Sequence, residues 1–306
     1  MAFQDYQGTL IPVHFISVKD FGAVGDGTTD DAGAIQDALD SLRQTGGIIF
    51  FPKGTYLITE AVIFYSNQTL LFESGAVLKQ GAAINNLMRS YCDTTMTAYT
   101  GTHDCLIYGA TFDGSTYEEN NGLLCFAHAK NIVVERCTFV NAYGTWHDLE
   151  INSSYNIKII NCDFEGSRKT GDHGELIQID AASASMVYPF SGTAYDDTVC
   201  KYIDISGCIF HDDTVSPAIG NHSAHAHNFV RIHNCIFDGF HTSAIKFASN
   251  ITNVDIYNNI FSECSYGIGA SDTGYYVHDN RFVDVTTPIT GTAVAHNNMI
   301  NGTYTA

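Results

Sequence analysis

Cations are scarce in this sequence. Only 14 Lys and Arg stand against 33 Asp and Glu, a formal charge of −19. Nucleic acid is held by clusters of Lys and Arg on its phosphates, so no nucleic-acid partner is expected. The same imbalance disfavours a strongly anionic polymer, unless local cations or a bound metal reverse the field. No apolar run approaches the roughly 18 residues of a membrane span, so no membrane partner is expected either. The opening "MAFQDYQGTLIPVHF" has no basic stretch followed by an apolar one and does not read as a signal peptide, although a removed leader would leave the same start. The nine cysteines are odd in number and form no CxxC pair, which argues against a disulfide framework or a zinc site.

What is present is repetition. "VVERCTF", "KIINCDF", "DISGCIF", "RIHNCIF", "DIYNNIF", "YVHDNRF" and "VAHNNMI" begin at Val133, Lys158, Asp204, Arg231, Asp255, Tyr276 and Val294. The intervals are 25, 46, 27, 24, 21 and 18 residues, the 46 being about one period plus an insertion. Each unit reads as a short alternating strand, a bend at Cys or Asn, and a buried apolar residue. Such strands without helices between them predict a solenoid of parallel strands about 4.8 Å apart. Hydrophobic content of 45% supports one large core over residues 1–306, with rungs over about 100–300. Equivalent positions would stack, so Cys137, Cys162, Cys208 and Cys235, continued by Asn259 and Asn280, read as an interior ladder rather than a metal or redox set. The row Phe139, Phe164, Phe210, Phe237, Phe261 and Phe282 reads as core.

The N-terminal part differs. "DDAGAIQDALDSLRQTGG" places Ile35, Ala38, Leu39 and Leu42 on one helical face, with Thr29, Asp30 and Asp31 as possible caps and an end at Gly46–Gly47. Such a helix could cover an open end of the solenoid. The preceding "GAVGDG" has the wrong glycine spacing for a nucleotide loop and reads as a turn. Together, "VKDFGAVGDGTTDDAGAIQDALD" and "GGIIFFPKGTYLI", about Val18 to Ile58, resemble the N-terminal signature of the pectate-lyase-like right-handed β-helix superfamily. That group includes family-28-related glycosidases, polysaccharide lyases and phage tailspike depolymerases. The resemblance implies an all-β, right-handed parallel β-helix with a short capping helix, and a polysaccharide or oligosaccharide ligand. It leaves the reaction open, and a monomer or a homotrimer equally so.

Aligning the units from their bends gives a register. "HDLEINSS" matches "ELIQIDAA", then "AIGNHSA", "AIKFAS" and "GIGAS". Leu149, Ile177, Ile219, Ile245 and Ile268 would point inward, and their neighbours outward. One outward ladder is Glu150, Gln178, Gly220, Lys246 and Gly269; the next is Asn152, Asp180, His222, Ala248 and Ser271. Two long excursions flank the patch, and the second brings Tyr188, Phe190 and Tyr195, flat side chains suited to sugars. An open groove is expected there.

Hydrolysis of a glycosidic bond needs two carboxyl groups. Glu150 and Asp180 sit one rung and two residues apart, roughly 8 Å between backbone positions, within the spread of an inverting pair. His222 would tune Asp180 or bind a hydroxyl, Lys246 would meet an acidic substituent, and Asp148 is a spare carboxylate. His147, Gln178, Glu175 and His225 complete the candidate binding set, with Asp172 and His173 at the groove edge. No resident metal or cofactor is expected of a hydrolase. A lyase would instead use His222 or Lys246 as base, with Glu150 and Asp180 holding Ca²⁺. The paired-Asp, Gly-His-Gly and Arg-x-Lys motifs of polygalacturonases are absent as a set, although Asp212–Asp213 follows "CIFH". In "NHSAHAHN", His225 and His227 are expected to be exposed turn residues rather than metal ligands. A free-cysteine ladder suits a reducing cytoplasm, so a cytoplasmic or phage-associated protein is expected rather than a secreted one.

Overall fold

A computed structural model describes residues 2–4, 10–12, 14–115, 118, 122–166, 170, 174–183, 195–211, 215–222, 225–247, 251–270 and 273–304. Among the described residues the chain winds into three sheets of nine, eleven and twelve strands, parallel throughout except where Thr303–Tyr304 turns back antiparallel on Met299–Ile300, plus a short antiparallel pair, Ala2–Gln4 with Leu10–Pro12. One rung shows the pattern. Leu149–Asn152 lies in the first sheet, Tyr155–Ile160 in the second and Asp163–Glu165 in the third. Each strand pairs with its counterpart one rung on, such as Leu149 with Ile177 and Phe164 with Phe210.

The bend between the second and third sheets repeats a single device. A residue in the left-handed region (Asn161, Asn234, Asn258 and Asn297 among them, φ 54–56°) precedes an inward Cys or Asn. Asn tolerates that conformation better than most residues. Behind it, the buried thiols of Cys137, Cys162, Cys208 and Cys235 lie against backbone carbonyls of the neighbouring rung at 3.6–3.7 Å. Farther along, Asn259 Nδ2 donates to Asn280 Oδ1 at 3.0 Å, and Asn280 Nδ2 to Asn298 Oδ1 at 3.1 Å. All nine cysteines are free and buried. The phenylalanine row is stacked, with centroids 4.6–5.0 Å apart from Phe112 to Phe282.

The helix spans Ala32–Ser41 and buries Ile35, Ala38 and Leu39. It ends before Gly46–Gly47, at Leu42. Asp31 makes no side-chain cap; its carboxylate accepts from the N–H groups of Val24 and Gly25 at 2.5 and 2.9 Å and pins the GAVGDG turn. Asp30 instead accepts from Ala32 N. The helix also closes an edge. Gln36 accepts from Ile63 N–H at 2.8 Å and donates to Ile63 C=O at 3.2 Å, so the outermost strand of the first sheet, Val62–Phe64, has no free ladder at that residue. No helix among the described residues is long and apolar enough to cross a membrane.

Removing a member of the asparagine ladder strands buried polar groups on both sides, each worth about 1–3 kcal/mol. Asn280→Ala is therefore expected to cost about 2–4 kcal/mol in denaturant unfolding. Cys162→Ala, which loses only a small apolar group, is expected to cost about 1 kcal/mol.

Candidate active site

The register expected for the first sheet is the one found. Glu150 pairs with Gln178, Gln178 with Gly220, Gly220 with Lys246 and Lys246 with Gly269; Asn152 pairs with Asp180. Their apolar neighbours point into the core and these side chains point out. The ladder also runs backwards, through Cys125 and Arg89. Ala248 and Ser271, which would extend the second ladder, lie outside the described residues. So do Tyr188, Phe190, Asp172, His173, Asp212 and Asp213.

The patch is not an open groove. Asp148, Asn152 and Asp180 are fully buried, and Gln178, Glu175, Glu150 and His147 are between 1 and 6% exposed. The His222 side chain, 19% exposed, and exposed Lys246 mark where the cluster meets solvent. Ser153 Oγ donates to Thr198 C=O at 2.6 Å, and Asp196 accepts from Ala98 N at 2.7 Å, which ties the chain around residues 196–198 to the bend after the Leu149–Asn152 strand and to the segment around Ala98.

Within this enclosure each carboxylate has its own neighbours. Asp180 Oδ2 accepts from Gln178 Nε2 at 3.1 Å and from the backbone N–H of His222 at 2.9 Å. His227 Nε2 lies 3.8 Å from Asp180 Oδ1. The Cys200 N–H donates to His227 Nδ1 at 3.0 Å, which leaves the His227 proton on Nε2, facing Asp180. His227 is fully buried, not an exposed turn residue as the sequence suggested. His225 is half-buried, with Nε2 3.6 Å from Asp197. Tyr195 is 42% exposed. Glu150 Oε2 accepts from the Cys125 thiol at 3.2 Å. Burial, with Glu150 beside it, pushes that thiol far above its ordinary pKa, so it stays protonated and can donate. Arg89 is half-buried, and burial lowers its pKa.

A second cluster sits above the first. His222 Nε2 is 2.6 Å from Glu175 Oε2, and Glu175 Oε2 is 3.5 Å from His147 Nδ1. Gly220 makes room for it: a Cβ there would come within 2.9 Å of Glu175 Cγ and 2.5 Å of the Lys246 carbonyl. Burial works against charge on His222, but Glu175, then Asp180 and Glu150, outweigh it and raise its pKa above 6.5. His147, Glu175 and His222 bring ligand atoms within 4.8 Å of one another. Two imidazoles and a carboxylate suit a first-row divalent ion such as Zn²⁺ better than Ca²⁺, which prefers an all-oxygen shell. Gln178 Oε1 and Asn152 Oδ1 are buried acceptors without a hydrogen bond among the described residues. The sequence reading gave His227 no place beside Asp180, and it did not include Arg89 or Cys125. Cys125 is reachable by aligning "GLLCFAHA" with "HDLEINSS", and Arg89 by aligning "NLMRS" with both; nothing local marks His227 as a neighbour of Asp180.

Because the folded state holds the His222 proton more tightly than the unfolded chain, this group's stabilisation is full below pH 6.5 and fades as pH rises through its elevated folded value. Glu175→Gln removes the main charge responsible. It is expected to flatten the fall in Tm between about pH 6 and 8, as followed by circular dichroism melts.

Comparisons with known proteins show the family and the fold. Plasmin and fibronectin-binding protein A of Streptococcus pneumoniae is 28% identical over 284 residues, covering 81% of this chain but only 39% of that protein. The crystal structure of PfbA, a surface adhesin of Streptococcus pneumoniae, superposes with a TM-score of 0.75 at 23% identity, over 94% of this chain and 78% of that one. A family 28 exopolygalacturonase of Yersinia enterocolitica gives a TM-score of 0.69 at 16% identity, over 94% and 64%. Both structures share the fold. The profile of the rhamnogalacturonase A/epimerase, pectate lyase-like family matches residues 15–290, and this right-handed parallel β-helix belongs to that family.

Proposed function

We propose that this chain is a glycoside hydrolase acting on a polysaccharide, with Glu150 and Asp180 as its carboxyl pair. The observation that carries the reading is their placement: two buried acids on adjacent rungs, on the outward face of one sheet, each with different donors. Asp180 collects donors from Gln178, His222 and the His227 side, a pattern suited to a carboxylate that activates water. Glu150, against a neutral thiol, is assigned the acid that protonates the leaving oxygen. His222, held against Glu175 at 2.6 Å, is placed to bond a sugar hydroxyl, and Gln178 Oε1 offers an acceptor beside it. Enclosure strips water from the pair and strengthens these interactions.

β-Elimination is less well supported, because His222 is engaged by Glu175 at 2.6 Å and Lys246 lies at the solvent edge. The reading with a specific observation behind it is a glycan-binding module without catalysis. Full burial of Asp180 favours it, and the similar plasmin and fibronectin-binding protein A is named for binding rather than catalysis.

Reducing-end release over a polysaccharide panel separates these readings. For a hydrolase, Glu150→Gln and Asp180→Asn should each lower the rate by at least ~10³-fold with Tm little changed. Activity surviving in both variants would remove the assignment. An absorbance rise near 235 nm would mark a lyase. Saturable binding without new reducing ends would mark a binding module.

A further inference from the structure

The second sheet carries an anomaly unrelated to the acid cluster. At the second residue of its strands the backbone is left-handed, and most rungs place Asp or Asn there: Asp104, Asn131, Asn156 and Asn253, φ 52–56°. These residues also link up, Asn131 Nδ2 to Asp104 at 2.7 Å and Asn156 Nδ2 to Asn131 at 2.8 Å. On two successive rungs the position is taken by Tyr202 and Phe229, both with φ 58°. A bulky ring in this conformation is strained, and it forfeits the amide ladder. Nor are the rings buried in return: Tyr202 is 45% and Phe229 43% exposed. They lie parallel, centroids 4.8 Å apart, with the edge of Tyr155 against Tyr202 and no third ring beyond Phe229, where Asn253 follows.

Beside them runs a groove of about 940 Å³, parallel to the solenoid axis. Its floor is one ladder, Lys158, Asp204, Arg231 and Asp255. The far wall includes the stacked imidazoles of His278 and His296. Arg231 bonds Asp204 at 2.6 Å, and His278 lies 3.1 Å from Asp255. On the floor itself Lys158 and Arg231 match Asp204 and Asp255 in number, in a chain whose net charge is −19.

We propose that this groove is a second glycan site, holding a neutral hexopyranose chain that runs along the axis. The rung repeat of about 4.8 Å is close to the length of one pyranose residue, so each rung would meet one sugar. The C–H surfaces would pack on Tyr202 and Phe229, and hydroxyls would bond the carboxylates and guanidinium of the floor. Charge balance is the reason for a neutral chain rather than a uronan. Extended peptide, at about 3.3 Å per residue, falls out of step with the ladder. The site owes nothing to the acid pair on the first sheet.

Titration calorimetry with cellohexaose, laminarihexaose and a galacturonan hexasaccharide tests this. The parent and Glu150→Gln are both expected to bind at least one neutral hexasaccharide. Tyr202→Asn/Phe229→Asn, which installs the residue neighbouring rungs carry, should lower that affinity at least tenfold while Tm stays level or rises. Asp255→Asn, at a half-buried floor position, should weaken binding several-fold and serves if the double variant folds poorly. No neutral binding, binding of the galacturonan alone, or undiminished binding by the variants overturns the proposal. So does a change of oligomeric state in the double variant by sedimentation velocity, since the face would then be an interface between copies. Binding here without hydrolysis sinks only the acid-pair reading; hydrolysis without binding here sinks only this one.

Discussion

A parallel coil allows a side chain no private surroundings. Each position lies about 4.8 Å from the same position in the rungs above and below, so a residue must suit copies or near-copies of itself. Phenylalanines, thiols and carboxamides meet that condition: rings stack, thiols pack, and an amide both donates and accepts. Like charges do not. The core of this chain is built from the residues that tolerate their own neighbours, and its exceptions therefore stand out.

The buried acids obey the same constraint. Glu150 has Cys125 and Gln178 beside it in its ladder, both neutral, and Asp180 has Asn152 on one side and the His222 backbone N–H on the other. Neither acid stacks on the other. Setting them diagonally lets two carboxylates share one patch while each keeps a neutral donor, which offsets part of the cost of burying charge. Glu175 lies over Gly220, the position with no side chain to obstruct it, and the cation it favours on His222 offsets the negative charge below.

Legibility in the sequence follows from range. Strand register could be read because the bend residues and inward isoleucines recur locally, and Glu150, Gln178, Asp180 and Lys246 fell into place from it. Burial of the patch could not be read from local pattern, since its contacts join residues far apart in sequence, as Glu175 meets the His222 ring and Asp180 the His222 N–H. His227 differs from its expectation for the same reason: the N–H of Cys200, 27 residues away, donates to its ring. The paired aromatics were legible but overlooked. "KYIDIS" and "NFVRIH" break a column that "KNIVVE", "YNIKII" and "TNVDIY" fill with asparagine.

Both exceptions sit in the middle of the solenoid, between rungs that keep the ordinary pattern. In a stack whose stability is close to a sum of nearest-neighbour terms, a strained or polar rung weakens only the two interfaces it touches. The phenylalanine row runs unbroken beneath both, from Phe112 to Phe282. That division of labour explains how outward positions can carry residues that a solitary strand would not tolerate. The interior ladders hold successive rungs together, and the outward ladders are left to chemistry.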